Sequence, residues 1–263
     1  MREFFGIGGY TREPQGAYSW QHLTFVGFLI VSMFVGAILS GILLRKSEMK
    51  VKNRVLIICA ISINAVELVK IIAALINSDD IWHTILHLLP LFLCSIQLIT
   101  IPLAAFTKGR IKEACLDFVL IFGLLGGILG TVGAAQNYNA YPVLSIDNVA
   151  SGITHTISGF ASIYIASSGM ISLKKRSIGI AYAILSTFVA LALLVNLTSG
   201  STNYMFLMSH DGTPYSIIYN MVGENRIIYP ILVVLIFVVY IIIFYLVAML
   251  VRHIKAKKQA KKA

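Results

Sequence analysis

Apolar residues fall along this chain in seven long blocks with short polar breaks between them: 19–44, 54–76, 84–106, 114–136, 148–172, 178–199 and 227–251. A helix needs about 20 mostly apolar residues to cross the hydrocarbon core of a bilayer, and each block is long enough. The pattern predicts an all-α fold, a polytopic membrane protein built as a single bundle of seven transmembrane helices. No soluble domain is left over, because the longest hydrophilic stretch, 200–226, is too short to fold alone. Residues 1–18 lack a basic region leading into a short apolar run and a cleavage site, so the first block is expected to stay in the membrane.

The blocks differ in what they carry. Block 7, IIYPILVVLIFVVYIIIFYLVAML, has no ionisable side chain except tyrosine before Arg252, and is expected to face lipid over much of its surface. It has no lysine that could hold retinal. Block 1 spaces Ser32, Gly36 and Ser40 by four, and block 4 holds Gly123, Gly126, Gly127, Gly130 and Gly133. Small residues at such spacings let helix backbones approach closely in lipid. A phosphate cradle would need a strand and loop before the glycines, and neither is there.

Three other blocks carry polar groups. On a continuous helix, His83, His87, Pro90, Cys94 and Gln97 step by four, three, four and three and share one face of block 3. Cys94 then lies about 15 Å below the outer end. Pro90 donates no backbone hydrogen bond and leaves the Leu86 carbonyl without its usual partner. A bend is expected there, of the kind that borders cavities. Block 2 spaces Asn64, Glu67 and Lys70 by three. Ionisable groups at that depth cost about 2.5–3.5 kcal/mol each, so they should face the bundle, either paired with one another or serving a site. Block 5 lines up Ser151, Thr154, His155 and Ser158, with His155 about 10 Å below the outer surface. Asn196 ends block 6, and Asn203 and Tyr204 follow in the next loop. Most of these residues fall in the outer half, which points to a cavity open to the outer leaflet. Asp117 and Cys115 are placed near the cytoplasmic interface, within reach of water and Lys112.

Composition agrees: 58% of residues are hydrophobic and 12% charged, about half the charge of a soluble domain. The net charge of +10 would suggest nucleic acid until it is mapped. Arg45, Lys46, Lys50, Lys52 and Arg54 lie around the first break. Lys108, Arg110 and Lys112 follow block 3, Lys174, Lys175 and Arg176 follow block 5, and the tail 252–263 is lysine-rich. The alternate loops hold few basic residues, Arg2 and Arg12 before block 1 and Arg226 before block 7, and carry Asp79, Asp80 and Asp147. This is the positive-inside pattern, and it places the N-terminus outside and the C-terminus in the cytoplasm of a cell-membrane protein. The basic loops and tail are expected to contact anionic lipid, not nucleic acid. Cys59, Cys94 and Cys115 show no CxxC spacing and no extracellular pair, so no metal, cofactor or disulfide framework is implied.

A thiol becomes a nucleophile when a base removes its proton, and an imidazole can do so. His87 lies two turns from Cys94 on the same block, about 10 Å along the axis, which favours His155 from another block while leaving both open.

The segments LPLFLC (89–94), NVASGITH (148–155) and GSTNYMFL (200–207) resemble the YwaF-like family of bacterial seven-span membrane proteins. That family is similar to eukaryotic phospholipid acyltransferases using cysteine and histidine, and to hydrolases of fatty-acid esters of hydroxy fatty acids using threonine and histidine. The resemblance implies Cys94 and His155 as the catalytic pair. Two positions depart from the pattern: Phe92 stands where a histidine is common, and GENRIIYPI (223–231) lacks the tryptophans expected before the last span.

The leading expectation is a membrane-embedded acyl-lipid enzyme, an acyltransferase or lipid ester hydrolase. Cys94 attacks, His155 serves as base and then acid, Gln97, Asn196 or Asn203 stabilises the oxyanion, and Glu67 orients a histidine. Lys70, His87 and Tyr204 complete the supporting set. The alternatives are a small-solute or proton-coupled transporter using Glu67, Lys70 and His155 as a relay, and a non-catalytic lipid-binding protein.

Overall fold

The computed structural model describes residues 1–223 and 225–260; positions 261–263 of the basic tail and Glu224 of the GENRIIYPI segment lie outside the described residues. The described residues fold as α1 (Trp20–Leu44), α2 (Met49–Ile76), α3 (Ile81–His87), α4 (Gln97–Phe106) and α5 (Gly109–Val132). Next come α6 (Ala135–Ala140), α7 (Ile146–Ser167), α8 (Ile178–Ser199), α9 (Ser216–Val222) and α10 (Ile228–Ala260), with 3-10 turns at Lys175–Ser177 and Tyr204–Phe206. Among the described residues, five stretches are long and apolar enough to cross a membrane: Trp20–Leu44, Met49–Ile76, Gly109–Ala140, Lys175–Ser199 and Ile228–Ile254. They correspond to blocks 1, 2, 4, 6 and 7. The chain is an all-α, multi-pass membrane protein.

Block 3 departs from the expected single helix. It breaks into α3 and α4 with nine irregular residues, 88–96, between them. Pro90 removes one backbone donor and its ring crowds the preceding turn, so the helix stops before it instead of bending through it. The shared face drawn through His83, His87, Pro90, Cys94 and Gln97 therefore ends at His87. Block 5 forms α7, whose serines, threonines and glycines lower its hydropathy below that of the five apolar stretches.

Two compact units divide the chain, Met1–Ile171 and Ser172–Ala263. In the first, α7 packs against α1, α2 and α5. Missing side chains bring the backbones together. A Cβ on Gly123 would stand 2.7 Å from the Ser158 carbonyl oxygen, and one on Gly127 would stand 2.9 Å from Gly159 Cα. The Ser162 hydroxyl donates across the same seam to the Leu120 carbonyl at 2.8 Å. This is the close packing read from the glycines of block 4.

The ends of the first unit are tied differently. At one end Asn53 Nδ2 donates to the Ala105 carbonyl (2.7 Å), and Lys112 Nζ donates to Asn53 Oδ1 (2.5 Å) and the Ala104 carbonyl (2.6 Å). Asp117, expected to be within reach of water, is instead fully buried. The cause is that α5 starts at Gly109, which sets Asp117 two turns inside a helix buried from Ala114 to Gly123. At the other end the N-terminal segment folds over the helices. The Phe4 carbonyl accepts from Ile146 N–H (2.8 Å), the Phe5 carbonyl accepts from Asn77 Nδ2 (2.7 Å), and Gln15 Oε1 accepts from Val143 N–H (2.8 Å). Phe4 and Phe5 pack on the buried cluster of Ala73, Ile146 and Ala150.

The second unit holds α8, α9 and α10. Tyr182 Oη donates to the Val238 carbonyl at 3.3 Å, and Arg252 reaches the Ser172 and Leu173 carbonyls at 2.5 and 3.2 Å. Within the hydrophilic stretch, Tyr204–Phe206 forms a 3-10 turn and Ser216–Val222 forms α9, which packs against α10.

Candidate functional site: an intramembrane cavity

The first unit encloses a cavity of about 340 Å³. Helix α2 contributes Glu67 and Lys70; the break between α3 and α4 contributes Cys94 and Ser95; α7 contributes Thr154 and His155. His87 and the apolar side chains Leu88, Leu89, Phe92 and Leu98 also line it. Asn137 of α6, Tyr141 of the α6–α7 connection and Asp147 at the start of α7 line it as well. The lining thus mixes charged and hydrogen-bonding groups with apolar side chains, the composition of sites for amphiphilic ligands.

The charges are arranged around the thiol and the imidazole. Lys70 Nζ lies 2.6 Å from Glu67 Oε1, one helical turn away. Lys70 lines the same cavity as Cys94 and His155. Pairing and a site role were alternatives in the sequence, and here the pair itself lines the cavity. His87 is held by its Nδ1, which donates to the His83 carbonyl at 2.9 Å, with the two rings 4.2 Å apart.

Cys94 and His155 share a floor. A Cβ on Gly126 would lie 3.2 Å from Cys94 Cβ, and one on Gly130 would overlap the His155 imidazole. These two glycines sit four residues apart on α5, about 6 Å along its axis. The break between α3 and α4 and helix α7 therefore set the two side chains one turn apart on one helix face. Glycines 123 and 127 serve packing; glycines 126 and 130 make room for side chains that line the cavity.

The N-terminal segment reaches the cavity through Tyr10, whose hydroxyl donates to Asp147 Oδ2 at 2.7 Å. Burial and then this bond to Asp147 push the Tyr10 hydroxyl well above its ordinary pKa. Burial, with the Asp147 charge, does the same to Tyr141.

Five of the nine candidate residues are brought together here: Glu67, Lys70, His87, Cys94 and His155. Gln97 is fully buried and does not line the cavity; its Oε1 accepts from the Thr100 hydroxyl at 3.0 Å and its Nε2 has no partner among the described residues. Asn196, Asn203 and Tyr204 belong to the second unit. There Asn196 Oδ1 accepts from Tyr204 N–H (2.8 Å) and its Nδ2 donates back to the Tyr204 carbonyl (3.1 Å). Asn203 Oδ1 accepts from Met208 N–H (2.8 Å) while its Nδ2 donates to Asp211 (2.6 Å). Ser95, Asn137 and Tyr141 were missed in the sequence. Ser95 is the neighbour of a singled-out cysteine, and the other two lie in a connection read only as a link.

Fold and site define a multi-pass helical membrane protein with a polar cavity built among its helices. The TMEM164 family model matches residues 17–248, and the chain belongs to the TMEM164 family. Comparison with curated proteins and with solved structures finds no match.

Proposed function

We propose that this chain is a seven-span enzyme of acyl-lipid metabolism, an acyltransferase or lipid ester hydrolase, with Cys94 as nucleophile and His155 as base. The observation that carries this reading is the seating of Cys94 and His155 one turn apart on α5, in a cavity lined by both polar and apolar side chains. His155 takes the thiol proton and the sulfur attacks an ester carbonyl of an acyl lipid lying along Leu88, Leu89, Phe92 and Leu98. The imidazolium returns the proton to the leaving alkoxide, and a thioester remains for transfer to an acceptor lipid or to water. Lys70, held by Glu67, supports negative charge in the site. The resemblance of LPLFLC and NVASGITH to YwaF-like proteins, and through them to acyltransferases, points the same way.

The seven-span topology belongs to this proposal. Helix α7 supplies one crossing, its polar face turned to α1, α2 and α5. The pair α3 and α4 supplies another, irregular backbone being tolerated at membrane depth where it lines a cavity. Asn53, Ala105 and Lys112 meet at the basic end, and the N-terminal segment, Asn77 and Asp147 meet at the other. That segregation supports an external N-terminus and a cytoplasmic C-terminus in the cell membrane, with the basic loops on anionic lipid.

The test is lipid turnover by the purified chain in proteoliposomes. Cys94→Ala and His155→Ala are expected to stop it, and unchanged turnover in both sinks the proposal. Solute flux that survives Cys94→Ala but not Glu67→Gln would establish the transporter alternative in its place.

A further inference from the structure

Asp147 stands in the first turn of α7, and His155 follows eight residues later, about 12 Å along the axis. Both line the cavity, which therefore runs from the start of α7 to the imidazole and the thiol. Helix α1 starts and α2 stops at this same end, tied to it by Ala17 N–H on Asn139 Oδ1 (2.8 Å) and by Asn77 Nδ2 on the Phe5 carbonyl (2.7 Å). Spanning helices begin and end near water, so a cavity left open here would fill with it.

The N-terminal segment lies on this end. Tyr10 sets its ring edge-on against Tyr141, with centroids 5.8 Å apart, and its hydroxyl donates to Asp147 Oδ2 at 2.7 Å. Tyr141 and Asp147 line the cavity, and Tyr10 forms a layer behind them. Phe4 and Phe5 pack on Ala73, Ile146 and Ala150, and the Phe4 carbonyl takes the Ile146 N–H (2.8 Å). Gln15 Oε1 takes the Val143 N–H (2.8 Å), so contacts fall on both sides of Asp147. Gly6 makes room for the tyrosine. Its φ of +65° is left-handed, and a Cβ there would stand 2.9 Å from the Tyr10 ring.

We infer that residues 1–18 form a strap over the aqueous end of the cavity, latched by Tyr10 on Asp147. The latch makes Tyr10 a specificity-determining residue: it decides whether the acyl group passes to a lipid hydroxyl or to water. This rests on the reading of Cys94 as an acylated nucleophile. The thioester has two exits. In one, the hydroxyl oxygen of an acceptor lipid bonds to the carbonyl carbon, the C–S bond breaks, and the hydroxyl proton passes through His155 to the sulfur. The products are a new ester and the free thiol. Water follows the same course and yields a free fatty acid. Because water is in vast excess, transfer prevails only where water is kept out. An acceptor lipid arrives through the bilayer and does not need the aqueous end.

The experiment uses the full chain in neutral detergent with Cys94 as its only thiol (Cys59→Ala, Cys115→Ala). It reads the rate at which a charged methanethiosulfonate modifies Cys94 from water. Tyr10→Phe keeps the ring and removes the latch, while Gly6→Ala pushes the ring aside. Both are expected to raise the rate about tenfold or more, the weight of one hydrogen bond to a charged group. A chain whose only thiol is Cys59, buried on α2, should stay unmodified with and without Tyr10→Phe, which separates an opened strap from a loosened fold. With lipid substrate, Tyr10→Phe should raise the ratio of free fatty acid to transferred acyl group by about tenfold. Equal Cys94 rates in the chains with and without Tyr10→Phe, or Cys59 modified in step with Cys94, overturn the strap and leave Cys94 as nucleophile standing. A faster rate with an unchanged ratio overturns Tyr10 as the residue that selects the acceptor. A faster rate with no acyl group on Cys94 in either chain removes the nucleophile, and the choice of acceptor with it, and leaves a strapped cavity.

Discussion

Cys94 and His155 come onto one face of α5 because two side chains are missing from it. Gly130 gives the imidazole its place and Gly126 gives the thiol segment its own. Gly130→Ala is expected to displace the ring and to lower turnover as His155→Ala does, by about 10²–10⁴-fold, the usual worth of a general base. The double variant should lose little more, since both remove the same function. Gly127→Ala is a contrast: its added methyl meets the α7 backbone. It should cost about 1–3 kcal/mol of stability, read as a lower unfolding midpoint, with the remaining folded protein still active. Equal turnover in wild type and Gly130→Ala would detach the glycine from the site. Sequence alone distinguished Cys94, His155, Glu67 and Lys70, since polar groups inside an apolar block must be explained by a partner or a role. It could not separate the glycines, because spacing by four marks both faces of α5. Nor could it single out Ser95, a residue type that satisfies itself easily in any helix.

At the scale of elements, the α3–α4 break matters most. The proline was legible and a bend was expected of it, but nine residues of irregular backbone were not. A periodic reading assumes the helix continues and carries its face straight through the interruption. Pro90→Ala restores a donor and removes the ring clash, so the segment can close helical bonds. Turnover should then fall by about 10²-fold, the order expected when a reacting group is misplaced by an ångström. Near-normal turnover would show that other residues hold the break open. The N-terminal segment is a second element that hydrophobic pattern missed, being short and polar. Its loop is closed by the Glu3 carboxylate, which accepts from Arg12 N–H (3.0 Å) and from the Thr11 N–H and hydroxyl (3.2 and 2.8 Å). The Arg12 backbone N–H, followed by the Thr11 hydroxyl, holds Glu3 down to about 2 from an ordinary 4.5. A depressed carboxylate stabilises fully above its ordinary pKa and loses that stabilisation as pH falls towards the depressed one. Amide exchange at Thr11 and Arg12 should therefore quicken between about pH 4.5 and 2 beyond its intrinsic pH trend. Glu3→Gln should remove that response, and a response that persists would assign it elsewhere.

For the whole molecule, hydropathy carried the class, a multi-pass helical membrane protein; the TMEM164 family rests on the family match over residues 17–248 and not on that pattern. Helix α7 was legible as a block yet is too polar to stand out as one of the apolar stretches. Its polar residues, among them Asn148, Ser158 and Ser162, are buried against neighbouring helices instead of facing lipid. The proposed orientation makes a simple expectation for single cysteines placed in a chain freed of its own three. A membrane-impermeant maleimide should label Glu13→Cys in intact cells and should label Lys108→Cys and Lys257→Cys only after permeabilisation. Labelling of Lys108→Cys from outside would invert the topology.

The claim on which the rest depends is that Cys94 carries an acyl group in turnover, and trapping it is the direct measurement. Purified chain is incubated with a phospholipid bearing an alkyne-tagged acyl chain, quenched in acid and read by intact mass. The predicted result is a hydroxylamine-labile mass increase of one acyl group on the wild type and on Cys59→Ala, absent from Cys94→Ala and slowed in His155→Ala. An acyl group of equal yield on Cys94→Ala, or lipid turnover that proceeds without one, would contradict it.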